Sequence, residues 1–236
     1  MLFHKKPHAA VDELLKHIAF IMDGNGRWAK KRSMPREYGH LNGAKTFKTI
    51  IRYCGDIGIK MITVYAFSTE NWKRPKPEVD AIMKLLSDYI DDAEASMDEN
   101  NIRLVFLGDK SIFPSELRAK IDHVEEVSKD KGLLLNIALN YGGRAEITHA
   151  CNTLLASGRQ TVSEDDLSAA MYTAHCPDPD LIVRTGGDQR ISNFLLWQAA
   201  YAELYFTDTL WPDLTPAEID RIVDDFYGRK RRFGGI

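Results

Sequence analysis

The chain has 236 residues, 44% of them hydrophobic, enough to bury one substantial core and too few for two ordinary domains. Its formal net charge of -3 provides no basic field, which excludes recognition of nucleic acid or an anionic membrane by bulk attraction; any anion must be bound locally. Three cysteines, Cys54, Cys151 and Cys176, lack paired short spacing, which argues against a disulfide framework or a cysteine-rich zinc site and for a reducing, cytoplasmic setting.

Residues 1–16 carry His4, Lys5, Lys6, Pro7 and His8 but no long apolar stretch, so they read as a flexible N-terminal segment and not as a secretory signal. No run approaches the ~20 apolar residues that span a bilayer. A lipid substrate would be met from the water side, with at most peripheral membrane contact.

The first predicted strand covers residues 17–22. Ala44, Phe47, Ile50, Ile51 and Cys54 then recur at helical spacing, with Gly58 as a stop. A second strand is expected over 61–67. The helix after Pro75 and Pro77 has a broad apolar surface of Val79, Ile82, Met83, Leu85, Leu86, Tyr89, Ile90, Ala93 and Met97, as suited to core contact as to the wall of a hydrophobic channel. Strands follow at 102–107 and 133–139, then a helix in which Ile147, Ala150, Cys151, Leu154 and Leu155 share a face. Strands at 181–184 and 203–206 precede a last helix. Its start, Thr215-Pro216-Ala217-Glu218, has a cap residue, a first-turn proline and a glutamate three residues after the cap, and Ile219, Ile222, Val223 and Phe226 form one face. This alternation predicts an α/β fold with a mostly parallel six-stranded sheet surrounded by helices. One domain spans residues 1–236, without internal repeat or linker.

Three clusters carry chemistry. In HIAFIMDGNGRW (17–28) an apolar strand ends in Asp23 and a glycine turn with Arg27. Such a turn converges backbone N–H groups on an anion, and Asp23 beside a phosphate makes most sense with a divalent cation between them. Gly-Asn-Gly also serves as plain punctuation between elements. The second cluster follows the next strand, where Ser68, Thr69, Glu70, Asn71, Trp72 and Arg74 share a loop. In a parallel sheet that loop faces the Asp23 turn, although a polar surface loop anchored by Trp72 reads the same way. The third, DLIVRTGGDQRISN (180–193), repeats strand, glycine turn and arginine. Arg184, Arg190 and Ser192 suit a diphosphate, and with Arg27, Arg36 and Arg74 they suggest two anionic groups. Glu203 opens an apolar strand, a position that requires either an arginine partner or a metal.

Together these clusters resemble the cis-prenyltransferase family, specifically its bacterial undecaprenyl diphosphate synthases, over nearly the whole chain from His17 to the Arg-Arg-Phe-Gly-Gly tail. The resemblance implies a hydrophobic tunnel and a homodimer. It implies Asp23 as catalytic acid and Mg²⁺ ligand, with Gly24, Asn25, Gly26, Arg27, Arg36 and His40 around the allylic diphosphate primer and Trp28 flanking them. Ser68, Thr69, Glu70, Asn71, Trp72 and Arg74 match the family's catalytic loop. Asn71 is usually assigned to proton removal there, yet an amide is a poor base and orienting water or diphosphate suits it better. Arg184, Arg190, Ile191 and Ser192 match the isopentenyl diphosphate site, Glu203 the second metal acid, and Arg232 with Gly234, in the basic tail 228–236, a motif reaching across the dimer. Asp188 stands where the family more often has glutamate. The implied activity is elongation of an allylic diphosphate such as farnesyl diphosphate to undecaprenyl diphosphate, the lipid carrier of cell-wall synthesis. A shorter product and a catalytically silent partner subunit are the alternatives; silent partners lose the first-turn acid and arginine, and Asp23 with Arg27 is present. The helix after Pro77 and the strand at 133–139 are expected to line the tunnel.

Two other enzyme classes lack their motifs. Asp91-Asp92, Asp165-Asp166 and Asp224-Asp225 have no third aspartate at the spacing used by all-helical trans-prenyl synthases, and no phosphate-loop lysine follows a Gly-x-x-x-x-Gly pattern.

Overall fold

The computed structural model describes residues 14–95 and 101–229. Most of the N-terminal segment, Met97, and Arg232 and Gly234 of the basic tail lie outside the described residues.

Six strands form one sheet in the order β3-β4-β2-β1-β5-β6, comprising β1 His17–Ile21, β2 Met61–Ser68, β3 Ile102–Leu107, β4 Leu133–Tyr141, β5 Leu181–Arg184 and β6 Glu203–Phe206. Every pairing is parallel, so the sheet expected to be mostly parallel is wholly so. Its central strand β1, HIAFI, is buried at all five positions, as a strand covered on both faces must be. Alternation sorts its side chains. Ile18 and Phe20 enter the larger core, while Ala19 and Ile21 enter a smaller one with Phe194 and Leu195 on the opposite face.

Among the described residues there are seven α-helices: α1 Asn25–Lys31, α2 Arg36–Asp56, α3 Lys76–Ala95, α4 Ser115–Ser128, α5 Gly143–Ala156, α6 Glu164–Ala170 and α7 Pro216–Gly228. Helix α2 stops where Gly58 turns left-handed at φ 102°. The start of α7 follows its cap chemistry, with Glu218 N–H donating to Thr215 Oγ1 at 3.3 Å. Its apolar face of Ile219, Ile222, Val223 and Phe226 is buried, each such side chain contributing about 1.5–3 kcal/mol. The carboxylate of Glu218 is directed elsewhere, accepting from Thr207 Oγ1 and Thr209 Oγ1 at 2.8 and 2.9 Å.

Helix α5 departs from its expected face. Ala150 and Leu154 are buried, but Leu155 is 60% exposed and the stripe is completed by Gly143 and Glu146. The cause is polar: Glu146 is fully buried, bonded to Tyr141 Oη, Tyr172 N and Gln198 Nε2, and those bonds set the helix's rotation. Burial pushes its carboxyl above the usual range against the pull of these donors.

The strand order places β1 beside both β2 and β5, with Ile21 level with Arg184. The chain leaves β1 in one direction for β2 and later returns on its other side through β5. Because all strands are parallel, the ends of β1, β2 and β5 open into one crevice at this switch point.

Candidate active site at the carboxyl ends of the strands

Two residues beyond the end of β1, the backbone of Asp23 is clamped. Its N–H donates to Thr185 Oγ1 at 3.0 Å, and its carbonyl accepts from the Thr185 hydroxyl at 2.7 Å and from Trp211 N–H at 3.0 Å. Gly24 then adopts φ 112°, and a Cβ there would lie 2.9 Å from Leu210; only glycine fits this turn. Helix α1 packs directly on α2, because a Cβ at Gly39 would sit 2.1 Å from the Asn25 carbonyl and one at Gly43 would sit 2.3 Å from Asn25 Oδ1. The Gly-x-x-x-Gly spacing of these two residues is the sequence signal for that close approach, and it lies outside the three clusters that carry chemistry.

The Asp23 carboxylate meets arginines from both sides. Arg184 Nη2 donates to Oδ2 at 2.8 Å and Arg27 Nη2 lies 3.0 Å from the same oxygen. Burial raises the Asp23 pKa, but these two hydrogen bonds and charges outweigh it and hold the carboxyl below its usual value. Arg184 is 4% exposed and organises the turn after β5. Its Nη1 donates to the Arg190 carbonyl at 2.6 Å and to Ser192 Oγ at 2.7 Å, and its Nη2 reaches Asp188 Oδ2 at 3.3 Å. Arg190 Nη2 donates to that Asp188 oxygen at 2.8 Å, so the aspartate that stands where glutamate was expected ties the two arginines together. Ser192 and Asn193 both have positive φ, a strain retained where the surrounding structure over-determines it.

The loop after β2 is a single turn of 3₁₀-helix, Thr69–Lys73. Asn71 Oδ1 accepts from Ser68 N–H at 3.1 Å, and the Ser68 side chain bonds back to Asn71 N–H. One lone pair of the amide oxygen is thereby used, and Asn71 offers its NH₂ as a donor. Glu70 Oε1 accepts from Asn193 Nδ2 at 2.9 Å, joining this loop to the turn after β5.

These groups surround the mouth of a cavity of about 990 Å³. Asp23, Gly24, Asn25, Gly26, Arg27, Arg36, His40, Ser68, Glu70, Asn71, Arg74, Arg184, Arg190 and Ser192 line it, together with Asp188, Asn193 and Trp211, to which the sequence assigns no role. Below the mouth the lining is apolar: Phe47 of α2, Ile82, Leu85, Leu86 and Tyr89 of α3, and Val64 and Ile137 of the sheet. From Arg36 to Phe47 and from Glu78 to Tyr89 each helix advances eleven residues, or about 16 Å. There the Phe47 and Tyr89 rings meet edge to face at 5.0 Å.

Buried polar atoms without partners mark the mouth as a place for a ligand. His40 Nε2, Asn25 Oδ1 and Arg184 Nε are all buried and make no hydrogen bond among the described residues, a costly state in a finished core. Burial also holds His40 below its ordinary pKa, leaving the ring neutral at pH 7.

Other expected site residues fall elsewhere. Trp72 packs on Phe67 and donates to Asn140 Oδ1 at 2.8 Å; it anchors the loop. Trp28 donates to Asp213 Oδ1 at 2.6 Å beneath the Arg32 guanidinium. Thr69 lies against Gly142, and Ile191 packs on the smaller core. Val79 is buried in the main core, and of residues 133–139 only Ile137 reaches the cavity. Glu203 stands level with Leu181, at the opposite end of β6 from the site, where it accepts from Arg229 Nη1 at 3.0 Å. Three strand residues separate that level from Arg184, about 10 Å. Within one protomer Glu203 therefore cannot share a metal ion with Asp23; the arginine partner is the alternative the structure adopts.

Comparison with known proteins agrees with this geometry. The family described as putative undecaprenyl diphosphate synthase matches residues 21–234. An isoprenyl transferase of Fusobacterium nucleatum is 51% identical over 94% of this chain and 96% of its own, and one of Helicobacter pylori is 46% identical over 96% and 99%. Among solved structures, a probable undecaprenyl diphosphate synthase of Campylobacter jejuni superposes with TM-score 0.80 at 40% identity, and lavandulyl diphosphate synthase from Lavandula x intermedia, in complex with dimethylallyl diphosphate, with TM-score 0.90 at 33% identity. Each match covers 95% of this chain and 100% of the other. With an anion-ready mouth above an apolar cavity and matches along nearly its full length, the chain belongs to the undecaprenyl diphosphate synthase family and is an enzyme that transfers prenyl groups.

Proposed function

We propose that this enzyme condenses isopentenyl diphosphate repeatedly, with cis geometry, onto farnesyl diphosphate and releases undecaprenyl diphosphate, the lipid carrier for cell-wall synthesis. One observation carries the reading: two separate groups of guanidinium, Arg36 with Arg74 and Arg184 with Arg190, flank Asp23 at the mouth of a single apolar cavity. The first group and His40 hold the primer's diphosphate, and the second with Ser192 holds that of isopentenyl diphosphate.

In each cycle the allylic carbon–oxygen bond breaks, a carbon–carbon bond forms to the isopentenyl double bond, and a proton is lost. Negative charge on the departing diphosphate is met by fixed guanidinium groups. Positive character on the allyl carbon is shielded from water by the apolar wall. Asn71 orients reactants through its NH₂, while its carbonyl oxygen is held by Ser68 N–H. The growing chain is held in the cavity, each CH₂ withdrawn from water contributing about 0.8 kcal/mol.

Asp23 suits Mg²⁺. Both guanidinium groups take Oδ2, which leaves Oδ1 to ligate. Among the described residues no three His, Cys, Asp or Glu side chains form a cage, and Mg²⁺ characteristically binds through one or two carboxylates, substrate phosphates and water. When bound, the ion would neutralise charge on the diphosphates.

The enzyme acts as a homodimer in the cytoplasm. Its edge strand β6, with Leu204 39% and neighbouring Tyr201 77% exposed, supports pairing with a second copy, and three unpaired cysteines suit a reducing compartment. No helix among the described residues is long and apolar enough to cross a membrane, and the product is handed over by peripheral contact. A shorter product is the second reading, favoured by the Phe47–Tyr89 contact across the cavity. Purified chain mixed with Mg²⁺, farnesyl diphosphate and labelled isopentenyl diphosphate tests both. Label in a 55-carbon product supports the first reading, a shorter ladder the second, and no incorporation refutes both.

A further inference from the structure

Glu78 belongs to none of the three sequence clusters. It lies in the first turn of α3 and is 7% exposed. Its Oε1 accepts from Arg74 Nη1 at 2.9 Å, lies 3.1 Å from Arg36 Nε and has His40 Nε2 at 3.8 Å. These neighbours come from different walls, Arg36 and His40 from α2 and Arg74 from the loop after β2. All three line the cavity while Glu78 stands behind them. The pair Arg74 and Glu78 has ordinary helical i,i+4 spacing, but a second guanidinium converging on the same carboxylate oxygen does not follow from that spacing.

One oxygen that gathers two guanidiniums does what a phosphate oxygen does in an arginine-lined anion site. Each guanidinium has five donors, and Glu78 engages only a fraction of them. His40 Nε2, buried and without a hydrogen bond among the described residues, shows that the group is one partner short. We propose that Glu78 is a positioning residue that stands in for the primer's diphosphate: it gathers Arg36 and Arg74 beside His40 before the primer arrives, leaves their remaining donors and His40 Nε2 to the incoming anion, and by its own charge keeps that anion from being held too tightly to leave. In a reaction that expels inorganic diphosphate at every cycle, such a counter-charge speeds release at the expense of affinity.

This inference rests on the diphosphate reading of the mouth, and the test separates the two. Inorganic diphosphate is titrated calorimetrically into the whole chain and into Glu78→Gln, with and without Mg²⁺. Glu78→Gln removes the charge and keeps the shape, so it binds about tenfold more tightly, as loss of a like charge at this range implies, and the KM for the primer and kcat fall together. A wild-type chain that fails to bind diphosphate sinks both readings. Wild-type binding with equal or weaker binding by Glu78→Gln sinks this one alone, since a residue that only braces α3 predicts that result. Should Glu78→Gln not fold, the wild-type chain still decides: the His40 imidazole resonance, assigned by its absence in His40→Gln, shifts on addition of diphosphate, and an unmoved resonance overturns the proposal.

Discussion

Two buried polar clusters sit on the same sheet and differ in one respect. Near the amino ends of the strands, His17 Nδ1 meets the Pro177 carbonyl at 2.8 Å and its Nε2 meets Thr63 Oγ1 at 2.7 Å. Asn136 Nδ2 donates to Thr63 Oγ1 at 3.1 Å, and its Oδ1 meets His175 Nε2 at 2.9 Å. The side chains of His17, Thr63 and Asn136 are thus satisfied from within the protein. At the carboxyl ends, His40 Nε2, Asn25 Oδ1 and Arg184 Nε are buried and are not. Burial and polarity are alike in the two places, so neither marks function. Between these two clusters the unpaired atoms make the difference, because a fold tolerates their cost where a ligand completes them. An orphan atom alone is not a site, since Gln198 Oε1 is also buried and unpaired among the described residues, in the Glu146 network away from the cavity.

The largest expected effect tests the unsatisfied end. Asp23→Ala lowers incorporation of labelled isopentenyl diphosphate by roughly 10³-fold and leaves the circular dichroism spectrum intact, since Arg184 keeps Asp188, Ser192 and the Arg190 carbonyl as partners. Near-normal turnover would refute the assignment. At the satisfied end the expectation is inverted. His17→Ala costs about 2–3 kcal/mol of stability in urea denaturation and does not change the affinity for inorganic diphosphate. A tenfold loss of that affinity would break the distinction between the clusters.

Acid sharpens the comparison. His17, His40 and His175 all have pKa values lowered by burial. The unfolded chain therefore binds more protons than the folded one below about pH 6.5, so stability is full above that value and declines as pH falls toward the folded values. Asp23, with its depressed pKa, acts in a separate and lower window, losing its contribution only as pH falls below the ordinary carboxylate value. Urea midpoints at about pH 7.5 and about pH 5.5, on either side of the ordinary histidine value, should differ measurably in the wild-type chain and less in His17→Gln. An equal difference in the two would remove His17 from the account.

The smallest effect on rate concerns the far end of the cavity. Phe47→Ala combined with Tyr89→Ala removes the edge-to-face contact. The first condensation should change by no more than about threefold, because no charged group is touched, while chromatography should show longer products. An unchanged product ladder at an unchanged rate would show that these rings do not limit the chain.

All six strands were legible, because an apolar run between turn residues depends only on neighbours in sequence. So were the last helix, whose cap and proline are local signals, and the three loops that deliver Asp23, Asn71 and Arg184 to one crevice. The face of α5 was misjudged because a buried glutamate, bonded through residues 141, 172 and 198, sets its rotation. Trp72 supported two readings; it packs on Phe67 and is not among the residues that line the cavity. Glu78 passed unnoticed because its partners Arg36 and His40 lie on another helix.

What the sequence determined by itself was each element and the chemistry at its tips, since periodicity, caps and glycine turns act within a few residues. Which tips meet was decided by strand order and register. Parallel alignment of β1 with β5 brings Arg184 to Asp23, while the same register along β6 leaves Glu203 level with Leu181. The first outcome follows from a hydrogen-bond ladder between strands more than a hundred residues apart in sequence and the second from one that pairs Leu181 with Glu203, and no local pattern encodes either register.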